Sequence, residues 1–529
     1  MATISNEHQP LLTSSLRRYL ERESSTAPRT ERAFETVGGQ NFHEADVHTW
    51  AEFELLKSIL SDSVPVILSY ILQNSIQTVS VVIAGRLGAH ELSVAAFSVM
   101  LAFVSGESSS RFLIDLTFDP TLGGTTALDT LGSQAFTGSS RPTDLSVHLQ
   151  RCILMLWLLI GPVCIAWAFV EPVLIVLGQP FDLAADTQRF LRLLIFGAPG
   201  YIGFESLKKY LQCQGIMGLS TIVLLITSPF NVLFNIILIH YSPLRLFGAP
   251  VAMSMTYWLA FLLLAFSTYI SPKHRSNGTW GGINLIRVLH PPSCLTFLQL
   301  ALPGILMVGT EWAAFEIVAL CAGNLGALPL AAQSVIMTFD QILNTLPFGI
   351  GVAASNRVGN LIGAKSAGKA RRAAHASALL SILVGVVVMT LLLVFKDVCG
   401  YVLSDDDEVV SLVSNVMPLV ASFQISDGLA GSCGGVLRGQ GRQHLGAIFN
   451  FVAYYVIALP LGITLAFNGN IRMGLQGLWI GQVVGLTVVG VGEYLSVWLG
   501  TDWDREVEKG AARNMSEERV RQAIDTSTA

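Results

Sequence analysis

The chain has 529 residues, of which 52% are hydrophobic and 13% charged, and its mean hydropathy is +0.56. Soluble domains carry about 25% charged residues, so the solvent for most of this chain is lipid. The net charge of −5 comes without any basic concentration, which argues against nucleic acid as a partner.

Residues 1–55 are polar, with Arg17, Arg18, Arg22, Arg29 and Arg32, and lack the apolar core of a cleavable signal. They are expected to form a disordered cytosolic tail. Within them EHQPLL (Glu7 to Leu12) has the form of an acidic dileucine sorting signal. It would direct the protein to a vacuolar membrane, the plasma membrane being the default.

Crossing the hydrocarbon core takes about 20 apolar residues. Segments of that kind recur near 61–84, 90–106 resuming at 123–137, 152–177, 188–210, 219–240 and 249–270. After a polar connector they recur near 296–321, 329–355, 374–395, 411–435, 444–467 and 474–499. The plan is therefore twelve helical spans in two lobes, 56–270 and 296–500, joined by a cytosolic connector at 271–295. Residues 501–529 read as a second disordered cytosolic tail. An even number of spans puts both tails on one side. Fourteen Lys and Arg fall in connections on that side, among them Arg151, Lys208, Lys209 and Arg438, against six on the other, which predicts cytosolic termini. The sequons at Asn277 and Asn514 are then expected to stay unglycosylated. Seven cysteines without CxxC spacing read as small apolar packing residues.

The halves repeat. GRLGAHELSVAA (85–96) resembles GNLGALPLAAQS (323–334) at an offset of 238, and LQCQG (211–215) resembles LRGQG (437–441) at an offset of 226. Between these, GSQAFTG (132–138) answers GNLIGA (359–364). A duplicated six-span unit is a transporter plan, with the route between repeats. The change of offset makes the first half 12 residues too long, and the excess falls in the second span, inside SGESSSRFLIDLTFDPTLGGTTALDTLGSQAF (105–136). Residues 107–122 are expected to include translated non-coding sequence, the alternatives being a functional insertion or a tolerated bulge. The second span should be broken or displaced there, and its charges, Glu107, Arg111, Asp115 and Asp119, are left out of the candidate site.

GTTALDTLGSQAFTG (124–138), EWAAFEIVALCAGNLG (311–326), LPFGIGVAASNRVGNLIGAKSAGKAR (346–371) and CGGVLRGQGRQHLGAIFNFVAYYVIALPLG (433–462) resemble the MATE family of multidrug and toxic-compound extrusion transporters, in its eukaryotic form. The likeness covers roughly 60–500. It implies an all-α polytopic membrane protein, with twelve helices in two pseudo-symmetric six-helix lobes. It also implies export of organic cations or similar solutes against an inward flow of protons.

An ionisable residue inside the bilayer is costly and is a functional candidate by default. Four carboxylates qualify: Glu311, Glu316, Asp340 and Asp427, all in the second half, with no comparable acid deep in the first. Glu311 and Glu316 share span 7, but a separation of five turns a helix by about 140°, so one ligand does not meet both equally. Trp312, beside Glu311, offers an aromatic face to an organic cation. The resemblance assigns cation and proton handling to Glu311 and Glu316, with Asp427 paired to them from span 10. Thr338 occupies the place of a further acid found in some animal members, and Asp340 lies two residues on. Asp129 in ALDT reads as structurally paired or capping. Gln73 and Asn74 on span 1 are candidates for lining the cavity. Pro65, Pro303, Pro347 and Pro460 are candidate hinges, since each removes a backbone hydrogen bond within a helix.

No enzyme motif is present: there is no HExxH, and the ten histidines are scattered. The acidic run from Asp405 to Glu408 reads as a solvated cap rather than a metal site. The expected protein is a monomeric proton-driven antiporter without a cofactor, with protons favoured over sodium. The alternative is a lipid or glycolipid flippase-like transporter of the same superfamily, which would place basic residues in its cavity.

Overall fold

The computed structural model describes residues 44–103, 120–176, 178–469 and 471–528. EHQPLL and most of the 107–122 segment lie outside the described residues. Two units divide the chain, Met1–Ser58 and Ile59–Ala529, and the architecture below is that of the second. Among the described residues every regular element is helical.

Among the described residues ten helical segments are long and apolar enough to cross a membrane, and two further spans are each represented by two shorter helices, which makes twelve. Spans 1, 3, 5 and 6 are Glu44–Gly85, Asp144–Ala168, Gly218–His240 and Gly248–Ile270. Span 2 is represented by Ala89–Phe103 and Pro120–Gly138, and span 4 by Phe181–Leu194 and Ala198–Cys213. Spans 7, 9, 10 and 12 are Pro291–Leu325, Ala367–Cys399, Asp407–Gln440 and Leu475–Trp498. Span 8 is Ala327–Leu343 continued by Thr345–Gly363. Span 11 is Gln443–Asn450, a π-helical stretch Phe451–Ala458, and Leu459–Phe467.

Local chemistry explains the ends. Asp406 caps span 10, its Oδ1 accepting from the Glu408 backbone N–H at 2.9 Å, the expected role for the acidic run. Gly441, in the left-handed region at φ 82°, terminates the same helix, where a side chain would be strained. Of the candidate hinges, Pro65 and Pro303 lie inside helices. Pro347 sits in the first turn after the break at Asn344, and Pro460 is the second residue after the π stretch.

Each half has its own apolar core, one around Leu145, Leu156, Phe204 and Tyr210 and the other around Val413, Phe423, Tyr454 and Trp479. The duplication is visible in the packing between them. Gly123 of span 2 lies against the backbone of Ile305 on span 7, and Gly349 of span 8 lies against Ile67 on span 1. The offset of 238 carries Ile67 onto Ile305, and the offset of 226 carries Gly123 onto Gly349. The two crossings are therefore copies of each other, and both use a glycine to let backbones approach.

At one end of the bundle the halves are joined directly. Thr137 Oγ1 donates to the Asn360 carbonyl at 2.6 Å, Gln134 Nε2 to the Gly439 carbonyl at 2.9 Å, and Asn360 Nδ2 to the Cys213 carbonyl at 3.1 Å.

Several expectations change. Residues 501–529 are not a disordered tail: Trp503–Thr528 form a helix docked on the joined end. Arg521 Nη1 reaches Asp144 at 2.7 Å, Glu517 pairs with Arg151 at 2.8 Å, and Arg513 donates to Gln134 of the first half and the Gln440 carbonyl of the second. Arg521, Glu517 and Arg513 of this helix thus find partners on the transmembrane bundle. The first 55 residues are not wholly a tail either, because the span 1 helix begins at Glu44. Arg151, Lys208, Lys209 and Arg438, counted as connection charges, are buried, so they do not bear on orientation. The sequon asparagines make hydrogen bonds, Asn277 to Gln214 and Asn514 to the Gln134 carbonyl.

Candidate functional site

Buried charge occurs in both halves, but it is handled differently. In the first half Glu205 and Asp129 are fully buried, which corrects the expectation that no acid lies deep there. Each is neutralised by a lysine one turn or one helix away. Lys208 Nζ stands 2.6 Å from Glu205 Oε1 and 2.9 Å from Gln73 Oε1, and lies 4.0 Å from the centre of the Tyr70 ring. Lys209 Nζ meets both carboxylate oxygens of Asp129 at 3.0 Å, and the Arg438 Nε lies 3.6 Å from Asp129 across the join. Asp129 is thus a paired structural acid, as its setting in ALDT suggested.

In the second half Asp340 and Asp427 meet only neutral donors. Asp427 on span 10 accepts from Asn344 Nδ2, 3.4 Å from each oxygen. Asp340 on span 8 accepts from Gln424 Nε2 at 3.3 Å. Both are buried, and Glu311 on span 7 is half-buried. The three lie within electrostatic reach of one another, and none makes an ion pair among the described residues. Trp312 is 39% exposed and Glu316 half-buried. The other two candidates part company. Gln73 belongs to the first-half network, donating to the Tyr201 hydroxyl at 3.1 Å, whereas Asn74 next to it is exposed.

The repeat relates the two networks. Gln73 corresponds to Glu311 at an offset of 238, while Tyr201 corresponds to Asp427 and Lys208 to Gly434 at 226. Where the first half carries an amide, a phenol and a lysine, the second carries two carboxylates and a glycine. The ammonium built into one half has no tethered equivalent in the other.

Besides Glu205, two residues escaped the sequence reading. Glu493 on span 12 is fully buried, with neither carboxylate oxygen hydrogen-bonded. It lies inside the predicted segment 474–499, so the rule that selected the other acids selects it too. Tyr454 had no sequence signal. It sits on the π-helical stretch of span 11, fully buried, its hydroxyl unpartnered and within electrostatic reach of Glu311, Asp340, Asp427 and Glu493. π-helical distortions within α-helices are frequent at functional sites. Among the described residues no cluster of His, Cys, Asp or Glu has the arrangement of a metal site.

Known proteins carry the same plan. The MatE family profile matches residues 65–237 and 303–464. "Uncharacterized transporter C323.07c" of Schizosaccharomyces pombe is 34% identical over 90% of this chain and 88% of its own. "Multidrug and toxin extrusion protein 2" of Mus musculus is 34% identical over 85% of this chain and 75% of its own. The crystal structure of the eukaryotic MATE transporter AtDTX14 superimposes with a TM-score of 0.77 at 28% identity, covering 88% of this chain and 99% of that one. A MATE transporter of Vibrio cholerae, at 16% identity and a TM-score of 0.72, shares the fold. With the duplicated twelve-span architecture in place and the family profile matching both halves, the chain belongs to the MATE family of transporters, in its eukaryotic form.

Proposed function

We propose that this multi-pass membrane transporter exports organic cations, drugs or related solutes in exchange for protons, by alternating access between its two halves. One observation supports the reading above others: the repeat replaces the first half's tethered ammonium, Lys208, by Gly434, and its neutral neighbours Gln73 and Tyr201 by Glu311 and Asp427. The second half thereby offers carboxylates to a cation that the chain does not supply.

The coupling follows from competition. Burial disfavours the ionised form of a carboxylate and a neighbouring acid disfavours it further, whereas a bound cation favours it. Protons and an organic cation therefore displace each other at Glu311, Asp340 and Asp427. Trp312, partly exposed next to Glu311, adds a face on which a flat or quaternary cation stacks. Alternating exposure then lets protons unload the substrate on one side and substrate displace protons on the other. A lipid flippase would need basic groups free to meet anionic headgroups, and Lys208 and Lys209 are each held by an acid.

The deciding experiment is ethidium uptake into vesicles containing the purified protein, with a pH gradient, with a sodium gradient and with neither. Uptake should follow the pH gradient and fall to background in Glu311→Gln. Wild-type uptake in Glu311→Gln, or uptake indifferent to the pH gradient, would remove the residue or the coupling ion from the reading.

A further inference from the structure

Glu493 is placed as a buried acid without a function. Its Oε1 stands 3.1 Å from where a side chain would begin at Gly446 of span 11, and its Oε2 stands 3.3 Å from the equivalent point at Gly434 of span 10. The carboxyl group is thus wedged between two glycines and meets no donor. A carboxyl group enclosed without a hydrogen-bond donor has nothing beside it to stabilise a bare charge, so burying its ionised form is costly. The charged or titratable groups facing it are Arg438 and Cys433 of span 10, Glu311 of span 7 and Tyr454 of span 11.

Arg438 is the one cation among them, and it is engaged elsewhere. Its Nη1 is 3.8 Å from the same point at Gly434, so it approaches the Glu493 cavity. Its Nε is drawn instead to Asp129 of the first half, at 3.6 Å, and its Nε and Nη2 make no hydrogen bond. Asp129 does not depend on Arg438, because Lys209 already meets both its oxygens. The guanidinium is therefore a cation with one ion pair across the join and unused donors beside a second acid.

We propose that Glu493 is a proton-binding residue of the transport cycle, and that Asp129 withholds its counter-ion Arg438 while the halves are joined at the end where the C-terminal helix docks. Separation of the halves there breaks the Asp129–Arg438 contact, since the two residues belong to opposite halves, and Asp129 stays neutralised by Lys209. Arg438 then turns to Glu493, whose O–H bond breaks. The proton passes to water entering at the opened end, and the carboxylate remains paired with the guanidinium. Closing the join reverses each step, so Glu493 regains its proton when Arg438 returns to Asp129. This rests on the proton antiport proposed above and adds to it the device by which lobe movement expels a proton.

The test counts protons moved per ethidium in proteoliposomes for the wild type and Glu493→Gln, with ethidium uptake by Glu311→Gln as the control on the antiport reading. It is joined to infrared difference spectra of the purified full-length protein. Glutamine preserves the size and neutral state of the buried group, so Glu493→Gln is expected to fold. It should lose part of the proton count and one protonated-carboxyl band. Asp129→Asn, which releases Arg438, should lose the same band in the resting protein. A wild-type count and an unchanged band in Glu493→Gln, with Glu311→Gln defective, overturn this inference alone. If Glu493→Gln leaves the count unchanged and Glu311→Gln takes up ethidium like the wild type, the antiport reading falls with it.

Discussion

Arg521 and Asp144, 377 positions apart in the chain, meet at 2.7 Å with both side chains buried. The other oxygen of Asp144 is held at 2.7 Å by Arg287 from the connector between the halves. One carboxylate thus ties the C-terminal helix, the connector and span 3 together.

Asp144→Asn removes the charge from between two guanidinium groups. Breaking a buried pair by deleting one partner costs about 3–5 kcal/mol, because the remaining charge is left uncompensated. The expected outcome is a lower Tm and rapid proteolysis within 503–528, both read on the detergent-purified protein. Unchanged protease resistance would show that the helix docks without this anchor.

Acid should loosen the same helix through Glu517. Its burial alone would raise its pKa, but His148, Arg151 and hydrogen bonds from Arg151 and Ser293 outweigh that and hold it below the ordinary glutamate value. For a carboxylate depressed on folding, the stabilisation is complete above the unfolded value of about 4.3 and is lost as pH falls through the folded one. Protease sensitivity of the C-terminal helix should therefore rise below about pH 4, and Glu517→Gln should show that sensitivity at neutral pH and lose the acid step.

The repeat predicts the length of the transcript. Crossing contacts fix the offset as 238 at Ile67 and Ile305 and as 226 at Gly123 and Gly349. The excess of 12 residues therefore lies between these positions in the first half, which contain 107–122. Sequencing the message across this region should find a spliced form shorter by about 12 codons, the number by which the two offsets differ. Finding only the full-length form would return the segment to the protein as an insertion.

Much of this was legible in the residues. Runs of about 20 apolar positions gave the spans because a bilayer tolerates little else, and the repeat gave two halves. Glu311 and Asp427 were legible as charges inside apolar runs. Glu493 and Glu205 answered to the same rule and were missed, while Lys208 and Lys209 were counted with a connection because the span 4 break at 195–197 hid where the helix ran.

What depended on the chain alone was one-dimensional: hydrophobic length, the order of spans, the duplication, and which residues carry charge. Whether a buried charge is spent or available depended on three dimensions. Lys208 is matched by Glu205 three residues away, but Asp129 waits for Lys209 from another helix, and Arg438 faces it from the other half. The C-terminal helix makes the same point, since its arginines and glutamates look solvated until Asp144 and Arg151 are brought beside them. An ion's energy is set by what stands within a few ångströms, and that neighbourhood exists only once the helices have packed.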